Sequence, residues 1–183
     1  MAGVFQRAKV QAMFDAFDAD GNGVLEERDF EALTERWGRL PRVADGPELA
    51  ARVRLVIMGW WRHLSTVGDA EGVDRIGMTE LLAMVDRLPS MRESVEATAE
   101  AIFDAVDENG DGAISREEHR ILIDTWHGRP IATEGVFDRL DGDGDGRLDR
   151  AEFAALWTQF WISEDPAEPG NLMCGPVPGF PLS

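Results

Sequence analysis

The chain has 183 residues, enough for one large domain or two small lobes. It carries 35 acidic and 18 basic residues, a formal net charge of −17, which argues against nucleic-acid binding because that function needs a basic surface. No apolar run approaches the roughly 20 residues that span a bilayer, the N-terminus has no signal-peptide core, and Cys174 has no second cysteine to pair with. These features predict a soluble cytoplasmic protein with no membrane or nucleic-acid partner.

The first distinctive segment is DADGNGVLEERD, residues 18–29, which lies between two stretches with helical spacing of apolar residues. Apolar side chains recur three or four positions apart on both sides of it. They are Val10, Met13, Phe14 and Phe17 before the segment, and Phe30, Leu33, Trp37 and Leu40 after it. The sequence therefore predicts a helix–loop–helix unit that ends in the glycine- and proline-containing stretch 38–47.

This unit recurs along the chain. Close copies of the loop are DENGDGAISREE at 107–118 and DGDGDGRLDRAE at 141–152, and DAEGVDRIGMTE at 69–80 is a poor copy. The stretch RLPS at 87–90 separates the two halves because its proline interrupts a continuous helix. We predict an all-α fold: four units with eight helices, arranged as two paired lobes in a compact globule. The predicted lobes are residues 1–88 and 89–162, followed by an extended Pro/Gly-rich tail at 163–183.

The three good loops share a pattern of oxygen-bearing residues. Side-chain oxygens occupy positions 1, 3, 5 and 12, glycine occupies position 6, and position 7 offers its backbone carbonyl. The candidate metal ligands are Asp18, Asp20, Asn22, Val24 and Asp29 in loop 1, Asp107, Asn109, Asp111, Ala113 and Glu118 in loop 3, and Asp141, Asp143, Asp145, Arg147 and Glu152 in loop 4. Calcium takes six to eight oxygens at about 2.3–2.6 Å, and glycine permits the sharp turn around it. We expect three calcium ions, whose charge relieves the repulsion among the carboxylates.

Loop 2 departs from this pattern because Val73 and Asp74 replace the oxygen donor of position 5 and the glycine of position 6. We interpret it as a silent partner that is kept for pairing. Position 8 is apolar in all four loops, and we expect these residues to meet in short two-stranded bridges, loop 1 with loop 2 and loop 3 with loop 4. The position-8 residues are Leu25, Ile76, Ile114 and Leu148.

Loop 1 closes with Asp29, which is one methylene shorter than the glutamate of loops 3 and 4. A shorter carboxylate favours six ligands, and magnesium prefers near-octahedral coordination at about 2.0–2.1 Å. We therefore expect loop 1 to discriminate least against magnesium. In loop 4, Asp149 at position 9 adds a fifth carboxylate that is expected to act through water.

The loops and their flanking helices resemble the EF-hand family. The survival of loops 1, 3 and 4 and the break between halves are similar to the sarcoplasmic calcium-binding proteins and their prokaryotic relative calerythrin. That resemblance implies a compact calcium-buffering or calcium-storage protein in the cytoplasm. We also expect the chain to be a monomer. No catalytic constellation or phosphate-binding loop is present, so we predict no enzymatic activity and no cofactor besides metal ions.

Two other functions stay open at this point. A calcium sensor would bind a target helix on an opened lobe, using residues of the long third helix such as Val53, Ile57, Trp60 and Leu64. A carrier would hold an apolar small molecule in the tryptophan-rich interior.

The tail and the histidines give further expectations. Leu172, Met173, Val177 and Phe180 either fill the gap between the lobes or belong to a disordered end. His119 replaces the phenylalanine of the sister loops and is expected to pack on the core near loop 3.

Overall fold

The computed structural model describes residues 3–68 and 75–180. Its α-helices are α1 (Val4–Phe17), α2 (Glu27–Trp37), α3 (Pro41–Asp45), α4 (Pro47–Gly68), α5 (Met78–Val85), α6 (Arg92–Val106), α7 (Arg116–His127), α8 (Val136–Leu140) and α9 (Arg150–Ile162). Two strands, β1 (Ala113–Ser115) and β2 (Arg147–Asp149), pair as an antiparallel ribbon. Short 3-10 helices cover Leu88–Ser90 and Pro169–Leu172.

The described residues contain nine α-helices, so the predicted count of eight is wrong by one. The additional helix is α3, a single turn inside the stretch that the sequence marked as a break. Pro41 occupies its first turn, where the fixed φ of proline suits a helix and its missing N–H is not needed. Gly46 then ends the turn in an extended conformation before α4 begins at Pro47.

The predicted pairing of loops is confirmed. Leu25 and Ile76 form an isolated antiparallel bridge with N···O distances of 2.8 and 2.9 Å. Ile114 lies opposite Leu148 in the β1–β2 ribbon. All four side chains are fully buried, because each bridge lies at the centre of its pair of loops. The segment of loop 2 that is predicted not to bind a metal ion, residues 69–74, lies outside the described residues.

One apolar core runs through both halves of the chain. Trp37 from α2 and Trp157 from α9 are both almost fully buried within the same cluster. Arg36 at the end of α2 donates hydrogen bonds to the carbonyl oxygens of Ala16, at 3.3 Å, and of Trp126 at the end of α7, at 2.8 Å. The first half (α1–α5) and the second half (α6–α9) therefore share one interior and are also connected by the hydrogen bonds of Arg36.

The segment after α9 folds back on this core. It was predicted to be extended, but it contains the 3-10 turn Pro169–Leu172 because the Asn171 amide donates to the carbonyls of Asp165, at 2.7 Å, and Glu168, at 3.0 Å. Met173 is fully buried, and the Phe180 ring meets the Phe5 ring edge-on at 4.9 Å between centroids. Within the described ranges, no helix combines the length and apolarity needed to cross a membrane.

Candidate metal-binding loops

Loop 1 brings its position-1, -3 and -12 carboxylates together. Asp18, Asp20 and Asp29 each offer an oxygen within 4.8 Å of the others'. Asp18 is oriented by the loop backbone, because the amides of Asn22 and Gly23 donate to its two carboxylate oxygens at 3.1 and 2.8 Å. Gly23 has φ +81°, a left-handed conformation that a side chain would strain. The loop therefore aims hard oxygen donors at one point, the arrangement that a divalent cation requires.

Loop 4 has the same backbone frame. The amides of Gly144 and Gly146 donate to Asp141 at 2.9 Å each, and oxygens of Asp141, Asp143 and Asp145 lie within 4.8 Å of one another. Glu152 lies outside this cluster, and its Oε2 accepts a hydrogen bond from the Asp149 amide at 2.9 Å. Asp149 itself caps α9, since its Oδ1 accepts from the amides of Ala151 and Glu152 at 2.7 and 2.8 Å.

Loop 3 holds its first ligand most firmly. Asp107 accepts hydrogen bonds from the amides of Gly110, Asp111 and Gly112 at 2.8–3.2 Å, and its side chain is almost fully buried. Asn109 replaces the position-3 aspartate of the other two loops, and among the described residues loop 3 has no cluster of three carboxylates like theirs. Oxygen donors are still present at every expected position of this loop.

The position-12 carboxylate ties each loop to the helix that follows. Glu118 accepts from the Glu108 amide at 2.9 Å and from the Ser115 amide at 2.9 Å. Because Ser115 is the N-cap of α7, one carboxylate contacts the start of the loop and the start of the helix together. Glu80 at the end of loop 2 keeps the second of these contacts, accepting from the Gly77 amide at 2.9 Å.

Asp29 reproduces both contacts of Glu118 despite its shorter side chain. It accepts from the amide of Ala19 at 3.1 Å and from the amide of Glu26 at 2.8 Å. Its side chain is almost fully buried, and burial raises its pKa, while the two backbone hydrogen bonds oppose that rise. The Asp29 carboxylate therefore links the start of loop 1 to the start of α2, as Glu118 links loop 3 to α7.

The loops match known protein families. A family model described as EF hand matches residues 99–119 and 134–157, and one described as EF-hand domain pair matches residues 1–36. The sarcoplasmic calcium-binding protein of Hediste diversicolor is 29% identical over 119 residues, which cover 62% of this chain and 65% of the relative. The match thus spans slightly less than two thirds of that curated relative's length.

Solved structures extend the likeness over nearly the whole fold. The sarcoplasmic calcium-binding protein from amphioxus has a TM-score of 0.74 at 20% identity, covering 97% of this chain and 100% of that one. Calcium-loaded apo-aequorin from Aequorea victoria has a TM-score of 0.70 at 23% identity, covering 87% and 91%. EF-hand models thus match parts of both halves of the chain, and the fold is similar to that of the sarcoplasmic calcium-binding proteins.

Two arginines from other parts of the chain contact loop 3, and the sequence did not predict either contact. Arg42 of α3 donates to the Asp107 backbone carbonyl, and its Nη1 lies 3.3 Å from Asp107 Oδ2. Arg147 of loop 4 places Nη1 3.1 Å from Asp111 Oδ2. Arg147 was assigned only through its backbone carbonyl, and no sequence signal links Arg42 to a loop 65 residues away.

Proposed function

We propose that the protein binds three calcium ions, at EF-hand loops 1, 3 and 4, and acts as a calcium buffer in a reducing intracellular compartment. The ligands are the side chains at positions 1, 3, 5 and 12 of each loop, with the carbonyls of Val24, Ala113 and Arg147 at position 7. The hydrogen-bonded oxygen frames of the three loops support calcium binding. The observation that favours a buffer over a sensor is the closed apolar interior.

In the part of the chain that the structure describes, the interior offers no methionine-lined groove of the kind that sensor EF-hands open. Met13 and Met84 are buried in the same core cluster as the buried Trp61 and Trp126. Among the described residues, the exposed large apolar side chains are Val4, Leu55 and Ile162, which belong to three different helices. A target helix would have to displace packed aromatic rings to reach an apolar surface.

The tail reinforces this closure. Ring nitrogens of two histidines on α7 pair with successive tail carbonyls, His119 Nε2 with Met173 O at 3.0 Å and His127 Nε2 with Cys174 O at 2.8 Å. Lys9 of α1 donates to the carbonyl of Ser163 at 2.7 Å. The tail thus contacts both halves and covers surface that a sensor leaves available to its partner.

The size of the internal cavity weighs against the carrier function. The apolar cavity between Phe30, Trp60 and Trp157 has a volume of about 40 Å³. Pockets for drug-sized ligands are roughly 300–1,000 Å³. This volume has room for at most a few water molecules, so an apolar ligand of ordinary size would require the core to expand.

The buffer proposal predicts how a hydrophobic dye responds to calcium. We expect no rise in dye fluorescence, or a fall, when calcium is added at constant magnesium, because the helices stay closed over their core. A variant with Asp29→Asn, Glu118→Gln and Glu152→Gln is the control and is expected to show no calcium response. A large calcium-dependent rise in the wild-type protein alone would favour the sensor function.

The proposal includes a weaker preference for calcium over magnesium at loop 1. Replacing Asp29 with Glu lets the longer carboxylate bind the ion through both of its oxygens, so we expect the calcium-to-magnesium affinity ratio of loop 1 to rise about tenfold, equivalent to about 1.4 kcal/mol. The Gly23 amide donates to Asp18 and therefore reports occupancy of this loop by NMR titration. Glu118→Asp is the matched control and is expected to lower the ratio at loop 3; an unchanged ratio in Asp29→Glu would refute the preference.

A further inference from the structure

The three EF-hand loops differ in the positive charge that contacts their ligands. Loop 4 has four ligand carboxylates, and within the described residues none of them forms a salt bridge. Loop 1 has three, with Arg28 at 3.0 Å from Asp20. Loop 3 has three, and arginines contact two of them. Loop 3 therefore presents the least uncompensated negative charge to an incoming cation.

Arg42 differs from the other two arginines because it comes from a different part of the fold. Arg28 and Arg147 belong to the paired loops themselves, and their side chains are more than half exposed, so solvent screens them strongly. Arg42 stands on α3 in the first half, and its contact Asp107 has a side chain only 2% exposed. A charge pair with one buried partner is screened less than a pair in open solvent.

The guanidinium of Arg42 covers the first turn of loop 3. It bonds the Asp107 carbonyl and lies 3.3 Å from Asp107 Oδ2. It also lies over Gly110, where a Cβ would approach three guanidinium atoms at 3.6–3.7 Å. The corresponding first ligands of loops 1 and 4, Asp18 and Asp141, are only partly buried. Arg42 thus explains why the first ligand of loop 3 is the most enclosed of the three.

We infer that Arg42 sets the calcium affinity of loop 3, holding it below that of loop 4 by placing a positive charge from the first half against the loop's first ligand. This inference rests on the proposed calcium binding at loop 3. Calcium at loop 3 and the guanidinium repel each other across Asp107. The consequence is an ordered filling, with loop 4 occupied at lower free calcium than loop 3.

The test is a calcium titration that follows each loop separately by NMR. The amides of Gly112 and Gly146 donate to the first ligands of loops 3 and 4, and each reports its own loop. Free calcium is set with a chelator. In the wild-type protein we expect the Gly146 midpoint at lower free calcium than the Gly112 midpoint.

In Arg42→Ala we expect the Gly112 midpoint to fall about three- to tenfold at low ionic strength, and by much less in concentrated potassium chloride, with Gly23 and Gly146 nearly unchanged. Arg42→Gln, which keeps a hydrogen-bond donor, is expected to behave likewise, so loss of charge is separated from loss of packing. Arg54→Ala is the matched charge control, since Arg54 is exposed on α4. It is expected to leave Gly112 unchanged.

An unchanged or higher Gly112 midpoint in both Arg42 variants would overturn the inference while leaving calcium binding intact. A Gly112 amide that does not respond to calcium in the wild-type protein would instead remove loop 3 from the calcium sites, and the role of Arg42 with it. The apo thermal midpoint of each variant shows whether the fold is preserved.

Discussion

Lys9 is the single lysine of the chain, and it is buried. Its ammonium group donates to Ser163 O at 2.7 Å and to Asn171 Oδ1 at 2.9 Å, and it lies 5.6 Å from the centre of the Phe160 ring. Burial lowers its pKa from 10.5 to about 8, and the nearby Glu164 carboxylate opposes part of this fall. The Lys9 ammonium group therefore lies at the junction of α1 and the tail, where two amide oxygens and the face of an aromatic ring contact it.

This buried lysine predicts a rise in stability at alkaline pH. Between about pH 8 and 10.5 the unfolded chain holds the Lys9 proton and the folded chain releases it, so the free energy of unfolding increases with pH, by about 3 kcal/mol at most. Burial raises the pKa of Cys174, which acts in the opposite direction above pH 9. The measurement is therefore urea unfolding of Cys174→Ala across this range.

The control for this measurement is Cys174→Ala combined with Lys9→Met, whose stability is expected to stay level over the same range. The chain has no tyrosine, so few other side chains titrate there. A level or falling curve in Cys174→Ala alone would contradict the prediction.

At the scale of elements, the helix–loop–helix units were largely predictable. Apolar spacing located the long helices, and position 8 located both bridges, because these signals depend on residues close together in sequence. The sequence did not reveal α3, since one turn offers too few positions for a periodic pattern. It also missed the 3-10 turn of the tail, which depends on the side-chain hydrogen bonds of Asn171.

Asp149 illustrates how one residue serves both a helix and a loop. Replacing it with Ser keeps an N-cap oxygen for α9 and removes the charge, so apo stability is expected to change little while the calcium affinity of loop 4 falls several-fold. Asp149→Ala removes both the N-cap oxygen and the charge, and it is expected to lower the free energy of unfolding of the apo protein by about 1 kcal/mol. Urea unfolding with chelator and the Gly146 titration measure the two effects; equal apo stability of the two variants would refute the capping role.

At the scale of the whole molecule, long-range contacts account for what sequence reasoning missed. The positions of Arg36 and Arg42 have no local signature, yet each connects α2 or α3 to the second half of the chain. His127 lies at the end of α7, where burial lowers its pKa and its Nε2 pairs with the Cys174 carbonyl. This burial of His127 depends on the tail, which is distant in sequence and therefore gives no local signal.

The contact between Phe5 and Phe180 brings the two ends of the described chain together. In polymer terms, residues 5–180 form one large loop that this contact closes. A short covalent link across this gap would remove conformational entropy from the unfolded ensemble, with little demand on a native state whose ends already meet.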